Sequence, residues 1–303
     1  MNEKQYNYLS FFLTRVLFLG GGFSLLFNKS SNNVLLCSFM GMLLGYFLLY
    51  IFYKKGINKY NKYLIAVIIL FINLIGCGVL TSSYLLPNTP ILLIILLFIG
   101  ICIYGSKDIT IIARVSFILF FISIGIILLA CLGLLSELDF NFSISNNNII
   151  SGILLFATLS LLPNLLIIDY SNNYKFYKIS KGYIIGCISN INVVMFINFI
   201  FGYKLASIVR FPEYFILKQV NLFSFISNIE NILVMEWIVT IILSGMVCIN
   251  TIRNNNIFKY LIVILITIVL CILTSNYNVL FYIKNYICYV YMFLIICCLV
   301  IKK

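Results

Sequence analysis

The sequence has no histidine, one tryptophan, four prolines and only eight acidic residues among 303. Without histidine there is no imidazole general base, no imidazole ligand for haem or zinc, and no Ser-His-Asp or Cys-His arrangement. Ten cysteines are present, but no two have Cys-x-x-Cys spacing, and all of them lie in apolar runs, where a thiol behaves as a small hydrophobe. No enzymatic activity, no metal ion and no cofactor is therefore expected. Charge is the largest deficit. Only 9% of the residues are Asp, Glu, Lys or Arg, against about 25% in a soluble domain. With 63% apolar residues, such a chain cannot cover a surface that faces water, so lipid has to be its solvent.

What is present is a succession of apolar runs. A helix that spans a bilayer needs about 20 mainly apolar residues. Ten such spans fit, near 7–28, 33–53, 62–85, 88–104, 108–135, 149–170, 182–202, 230–251, 257–275 and 279–301. They leave no room for a soluble domain, so residues 1–303 read as one transmembrane domain. The net charge of +12 then becomes a matter of orientation, because Lys and Arg collect in cytoplasmic loops. With the N-terminus inside, the cytoplasmic segments hold Lys4, Lys54, Lys55, Lys59, Lys62, Lys107, Arg114, Lys175, Lys178, Lys181, Arg253, Lys259, Lys302 and Lys303, which is 14 of the 20 basic residues. Both termini are expected in the cytoplasm, and no nucleic-acid partner is needed to explain the excess.

Ten spans divide into five and five, about 7–135 and 149–301. An odd number per half makes the second half enter from the opposite side, which is the arithmetic of an inverted repeat with its first helix broken in each half. Both places carry a breaker. Gly20, Gly21 and Gly22, followed by Ser24, strip side-chain cover from the backbone in span one. In span six Pro163 removes a backbone donor, with Ser160 and Asn164 beside it to satisfy freed groups. Freed backbone groups at mid-depth suit the carboxylate and amine of an amino acid. The plainer readings are close helix packing by glycine and a simple proline kink.

Ionisable residues inside spans are the other signal. Arg15 is expected to snorkel to the cytoplasmic interface and Lys284 outward. Glu236, beside Trp237 in span eight, cannot reach so far; it is a candidate for a ligand amine or a proton, or for a pair with Lys204 or Arg210. Glu230, which begins the same helix, suits its positive dipole end. Thr240 and Ser244 offer hydroxyls to a cavity or to their own backbone.

Two stretches carry a family likeness. One is Leu85-Leu86-Pro87-Asn88-Thr89-Pro90, then Tyr104-Gly105 and Ile112-Ala113-Arg114-Val115-Ser116. The other is Arg210-Phe211-Pro212-Glu213-Tyr214, Lys218-Gln219-Val220-Asn221, Asn228-Ile229-Glu230 and Glu236-Trp237-Ile238. The chain resembles the endospore germination permeases, the B subunits of spore germinant receptors, within the amino acid, polyamine and organocation superfamily. The resemblance implies a ten-helix inverted-repeat fold in the spore inner membrane or cell membrane of an endospore-forming bacterium. It also implies a small germinant such as an amino acid, and two partners, a membrane A subunit and a lipoprotein C subunit. The superfamily's unwound glycine motif falls on Gly20, Gly21 and Gly22, the family glutamate on Glu230, and structural or coupling positions on Pro212 and Arg114. Asn228 stands where the family often has Arg, and Pro163-Asn164 stand where a Gly-and-Glu pattern is usual.

The expected function is that of a germinant sensor. An amino-acid permease carrying out secondary transport is the alternative, and a lipid-linked polysaccharide polymerase or flippase is disfavoured by the modest outer connection at 203–229.

Overall fold

The computed structural model describes residues 1–19, 21–138, 149–171, 174–209, 211–218 and 229–253, together with Phe293 and Ile295; the side chains of 229–233 fall outside this description. Every regular element among the described residues is helical. Helices occur where spans one to eight were expected. Six are long and apolar enough to cross a membrane, Gly22–Lys55, Lys59–Leu85, Ile109–Glu137, Ile149–Leu166, Lys181–Ile208 and Val234–Arg253, with a shorter apolar helix at Ile91–Gly105. The chain is an integral membrane protein. The expected spans 257–275 and 279–301 lie outside the described residues, apart from Phe293 and Ile295.

The first span is two helices, α1 (Glu3–Val16) and α2 (Gly22–Ser30). Asn2 caps α1 in a reciprocal capping box with Gln5, which satisfies two orphan groups at the helix start. Between α1 and α2 the backbone leaves the helix. Gly21 stands at φ 114° as the residue before α2, a left-handed conformation open to glycine and costly for other residues. A side chain on Gly22 would collide with the Leu17 carbonyl, so the second glycine lets the chain fold back on its own backbone.

The chain continues through α3 (Val34–Lys55), α4 (Lys59–Leu80), which runs into a π-helical turn at Thr81–Leu85, α5 (Ile91–Gly105) and α6 (Ile109–Leu134). Asp108 caps α6, its carboxylate accepting from the Thr110 amide at 2.9 Å and from the Thr110 hydroxyl at 2.9 Å. The Thr110 amide above all holds the exposed Asp108 carboxyl below its ordinary range. A carboxylate with a lowered folded-state pKa stabilises above its unfolded pKa, and that contribution is lost as pH falls through the folded value. Asp108→Asn, which keeps an acceptor for the Thr110 amide but carries no charge, should therefore lower the melting temperature slightly near neutrality and flatten the acid limb of its pH profile.

Span six begins as α7 (Ile149–Leu161) and tightens at Pro163 into a 3-10 turn over Leu162–Leu166, with a second 3-10 turn at Ile168–Ser171. Pro163 has no N–H for the Leu159 carbonyl, so the α-helix stops one turn before the span does. The described chain ends with α8 (Phe176–Ile179), α9 (Lys181–Ile208), which is kinked at Gly202, α10 (Pro212–Leu217) and α11 (Ile229–Arg253).

Helix α1 sits at the centre, packed on α9, α6, α11 and α7. Asn7 pins it to α8 and α9: Asn7 Nδ2 donates to the Lys178 carbonyl of α8 at 2.8 Å and the Gly182 amide of α9 donates to Asn7 Oδ1 at 2.9 Å. The most extensive seam among the described helices is α3 on α7. A Cβ on Gly41 would sit 2.7 Å from the Phe156 Cβ, and one on Gly152 would sit 2.8 Å from Cys37 Sγ. Small residues bring these backbones together, as is usual where lipid supplies no hydrophobic drive for helix association. The large exposed side chains, such as Phe39, Leu43 and Phe47 on α3 and Ile118, Phe121 and Leu132 on α6, form the faces a bilayer would cover.

Candidate functional site

Two polar constellations lie side by side along the C-terminal half of α1, where the helix is about to break. The first is an ion pair. Arg15, in the last turn of α1, is 2% exposed and Glu236, on α11, is 6% exposed. Arg15 Nη1 donates to Glu236 Oε1, and Arg15 Nη2 donates to Glu236 Oε2 at 3.1 Å. This two-pronged geometry is the one in which guanidinium and carboxylate match best. The guanidinium carbon also lies 5.1 Å from the centre of the Phe11 ring, a favourable placement for a cation.

The expectation that Arg15 snorkels to the interface is thereby corrected, as is the pairing of Glu236 with Lys204; Arg210 lies outside the described residues. Arg15 lies on the face of α1 that packs against α11. In a medium that penalises any lone charge by several kcal/mol, two opposite charges within reach neutralise each other. Thr240, one turn below, donates to the Glu236 backbone carbonyl at 3.0 Å and lies 3.5 Å from Glu236 Oε1. Its hydroxyl therefore serves chiefly its own helix. Ser244 faces α4 instead, its Oγ accepting from Asn73 Nδ2 at 3.0 Å.

The second constellation is built on Asn164, in the 3-10 turn after Pro163 and fully buried. Asn164 Oδ1 accepts from Ser10 Oγ at 2.6 Å. Its Nδ2 donates to Thr14 Oγ1 at 2.9 Å and to the Ser160 carbonyl at 2.9 Å. Thr14 Oγ1 donates in turn to the Ser10 carbonyl at 2.8 Å, and Asn190 Nδ2 of α9 donates to the Thr14 carbonyl at 3.1 Å. Ser160 Oγ pairs with Tyr183 Oη at 2.8 Å. Thus the interruption of span six is bonded directly to the last turn of α1 before the interruption of span one. On the far side of that break, a side chain at Gly22 would stand 3.6 Å from Leu159 of α7.

The structure thus brings Pro163 and Asn164 to the α1–α2 break, with Arg15, Glu236 and Thr240 on the neighbouring face. Ser24 is buried in the first turns of α2. Gly20 lies outside the described residues, as does the side chain of Glu230, whose backbone lies in α11. Pro212 is the buried first residue of α10, while Arg114 is exposed on α6 near Asp108 and is not part of this cluster. Ser10, Thr14, Asn190 and Tyr183 were not anticipated. Ser10 and Thr14 are spaced i, i+4 beside Arg15, a polar stripe on the otherwise apolar second half of α1, and that spacing was the available signal.

Beside the ion pair lies a small, partly open recess of about 60 Å³ between α1, α6, α9, α10 and α11. Arg15, Glu236, Trp237 and Glu213 contribute to its wall. No family model matches the chain, and no curated protein is detectably similar to it.

Proposed function

We propose that the protein is a transporter-like membrane subunit that binds a small molecule where spans one and six are interrupted, and that it works as a germinant sensor. In this reading it is the B subunit of a spore germinant receptor, a ten-helix inverted repeat with both termini in the cytoplasm. It acts with a membrane A subunit and a lipoprotein C subunit in the spore inner membrane or cell membrane. The observation that carries the reading is the contact between the two interruptions through Asn164, Ser10 and Thr14. Non-helical backbone at membrane depth is tolerated only where protein covers it or where it lines a cavity, and paired broken helices are the usual frame of a midplane binding site. A sensor needs only different affinities for the ligand in two conformations, and transport need not follow.

Two experiments test this. Spores lacking the gene should lose their response to at least one amino acid, sugar or nucleoside; germination unchanged with all of them would reject the sensor. Gly21→Leu should insert normally and abolish that response, because leucine at φ 114° forces the α1–α2 junction to rearrange. An unaltered response would make the glycines a packing surface alone. Uptake by reconstituted protein under a sodium or proton gradient would turn the reading towards a permease.

A further inference from the structure

One face of α3 is an exposed apolar stripe that ends in a lysine. Phe39, Leu43 and Phe47 are exposed, Tyr50 follows three positions on and Lys54 four beyond it, a spacing that keeps all five on one side of the helix. From Leu43 to Lys54 the helix rises about 17 Å, close to one leaflet of a hydrocarbon core about 30 Å thick. Towards Lys54 the side chains change character. The Phe176 ring of α8 lies against Tyr46, Tyr50 and Tyr53, with centre-to-centre distances of 5.2, 5.1 and 5.5 Å. Lys54 Nζ stands 4.7 Å from the centre of the Tyr50 ring, and the exposed Lys175 and Tyr177 flank Phe176 in sequence. Rings with an apolar body and a polar tip settle at the depth of lipid headgroups. The charge beside them is one-sided. The segments that meet here, residues 54–62 and 169–181, hold seven lysines and a single acidic residue, Asp169, and Asp169 is already paired with Lys62.

We propose that the α3–α8 face holds an anionic phospholipid, with its phosphate on Lys54 and Lys175 and an acyl chain along Phe47, Leu43 and Phe39. A zwitterionic lipid fills the same stripe, but its headgroup brings a positive charge to the lysines. Soluble phosphate meets the lysines and leaves the stripe unused. Only a negative headgroup on an acyl chain complements both parts of the face. This surface is separate from the helix interruptions, so the proposal does not rest on the ligand-binding reading above.

The full chain in a neutral detergent is titrated with dioctanoyl-phosphatidylglycerol, dioctanoyl-phosphatidylcholine and glycerophosphate, following the melting temperature. The anionic lipid should raise it saturably and bind about 25-fold more tightly than the zwitterionic one, about fivefold for each of the two lysines. Glycerophosphate should leave it unchanged. Lys54→Gln/Lys175→Gln replaces two exposed side chains and should bring the two lipids level. Leu43→Ala/Phe47→Ala removes the stripe but not the charge, and should weaken both lipids together. Lys204→Gln, exposed near the other end of α9 from Lys181, should change neither.

Equal affinity for the two lipids in the unaltered protein would overturn the proposal, and so would a melting temperature that neither lipid moves. A preference for the anionic lipid that survives in Lys54→Gln/Lys175→Gln would place it on another surface. A shift by glycerophosphate at the concentration effective for the lipid would replace the lipid with a soluble phosphate. An equal loss in Lys204→Gln would reduce the effect to overall charge and overturn the α3–α8 face as its origin.

Discussion

Arg15→Met is expected to destabilise the folded protein by about 3–5 kcal/mol, the usual cost of removing one partner from a buried ion pair. Glu236 would remain as a carboxylate 6% exposed, with no cation opposite and no water to solvate it. Against a typical total stability of about 5–15 kcal/mol, the loss should be plain as a fall in the melting temperature of the purified protein in detergent. Glu236→Leu alone should be comparably harmful, since it strands the guanidinium over Phe11. The double variant Arg15→Met/Glu236→Leu is expected to recover most of the loss, because two apolar side chains of similar bulk need no partner in this setting. If the double variant instead loses the sum of the two single losses, Arg15 and Glu236 are not coupled and the pair contributes nothing of its own. The cycle isolates the coupling because both side chains are removed without adding a new polar group.

Asn164→Leu should be nearly as severe, at about 3 kcal/mol. Three hydrogen bonds are lost, each with a net worth of about 1 kcal/mol, and Ser10 Oγ and the Ser160 carbonyl lose partners inside the core. The damage should also be local. Amide exchange should speed up in the turns around Pro163 well before it does in α3 or α4, because Asn164 is what holds the end of span six to α1. Uniform acceleration over the whole molecule would mean that Asn164 stabilises the fold without holding that junction.

Composition and breaker residues account for what was legible beforehand. Apolar runs of the right length placed the described spans within a few residues, since lipid permits few alternatives to a helix. The break at the glycines and the change of helix at Pro163 could be read locally, because each follows from one residue's own backbone constraints. What escaped was everything set by rotation about a helix axis. Arg15 and Glu236 are 221 positions apart, and nothing in either neighbourhood names the other. Their opposite signs at membrane depth were the only clue, and neutrality in lipid would have paired them. The Asn164 network was hidden for a different reason: Ser, Thr and Asn in apolar helices bond as readily to their own turn as across a seam, and only the packing of α1 against the span-six turn decides between these.

The glycine seam between α3 and α7 bears on the order in which the molecule is made. Cys37 Sγ reaches the Ile149 carbonyl across 112 positions of sequence, so α3 leaves the ribosome long before its main neighbour exists. At a synthesis rate of about 5–20 residues per second, the interval is roughly 5–20 seconds. During that time the groove around Gly41 faces lipid or whatever escorts the nascent chain. Helix α1 waits longer still, because α9 and α11 follow α7. The first half of this protein is therefore inserted well before it is assembled, and its buried charge at Arg15 enters the membrane without the carboxylate that will neutralise it.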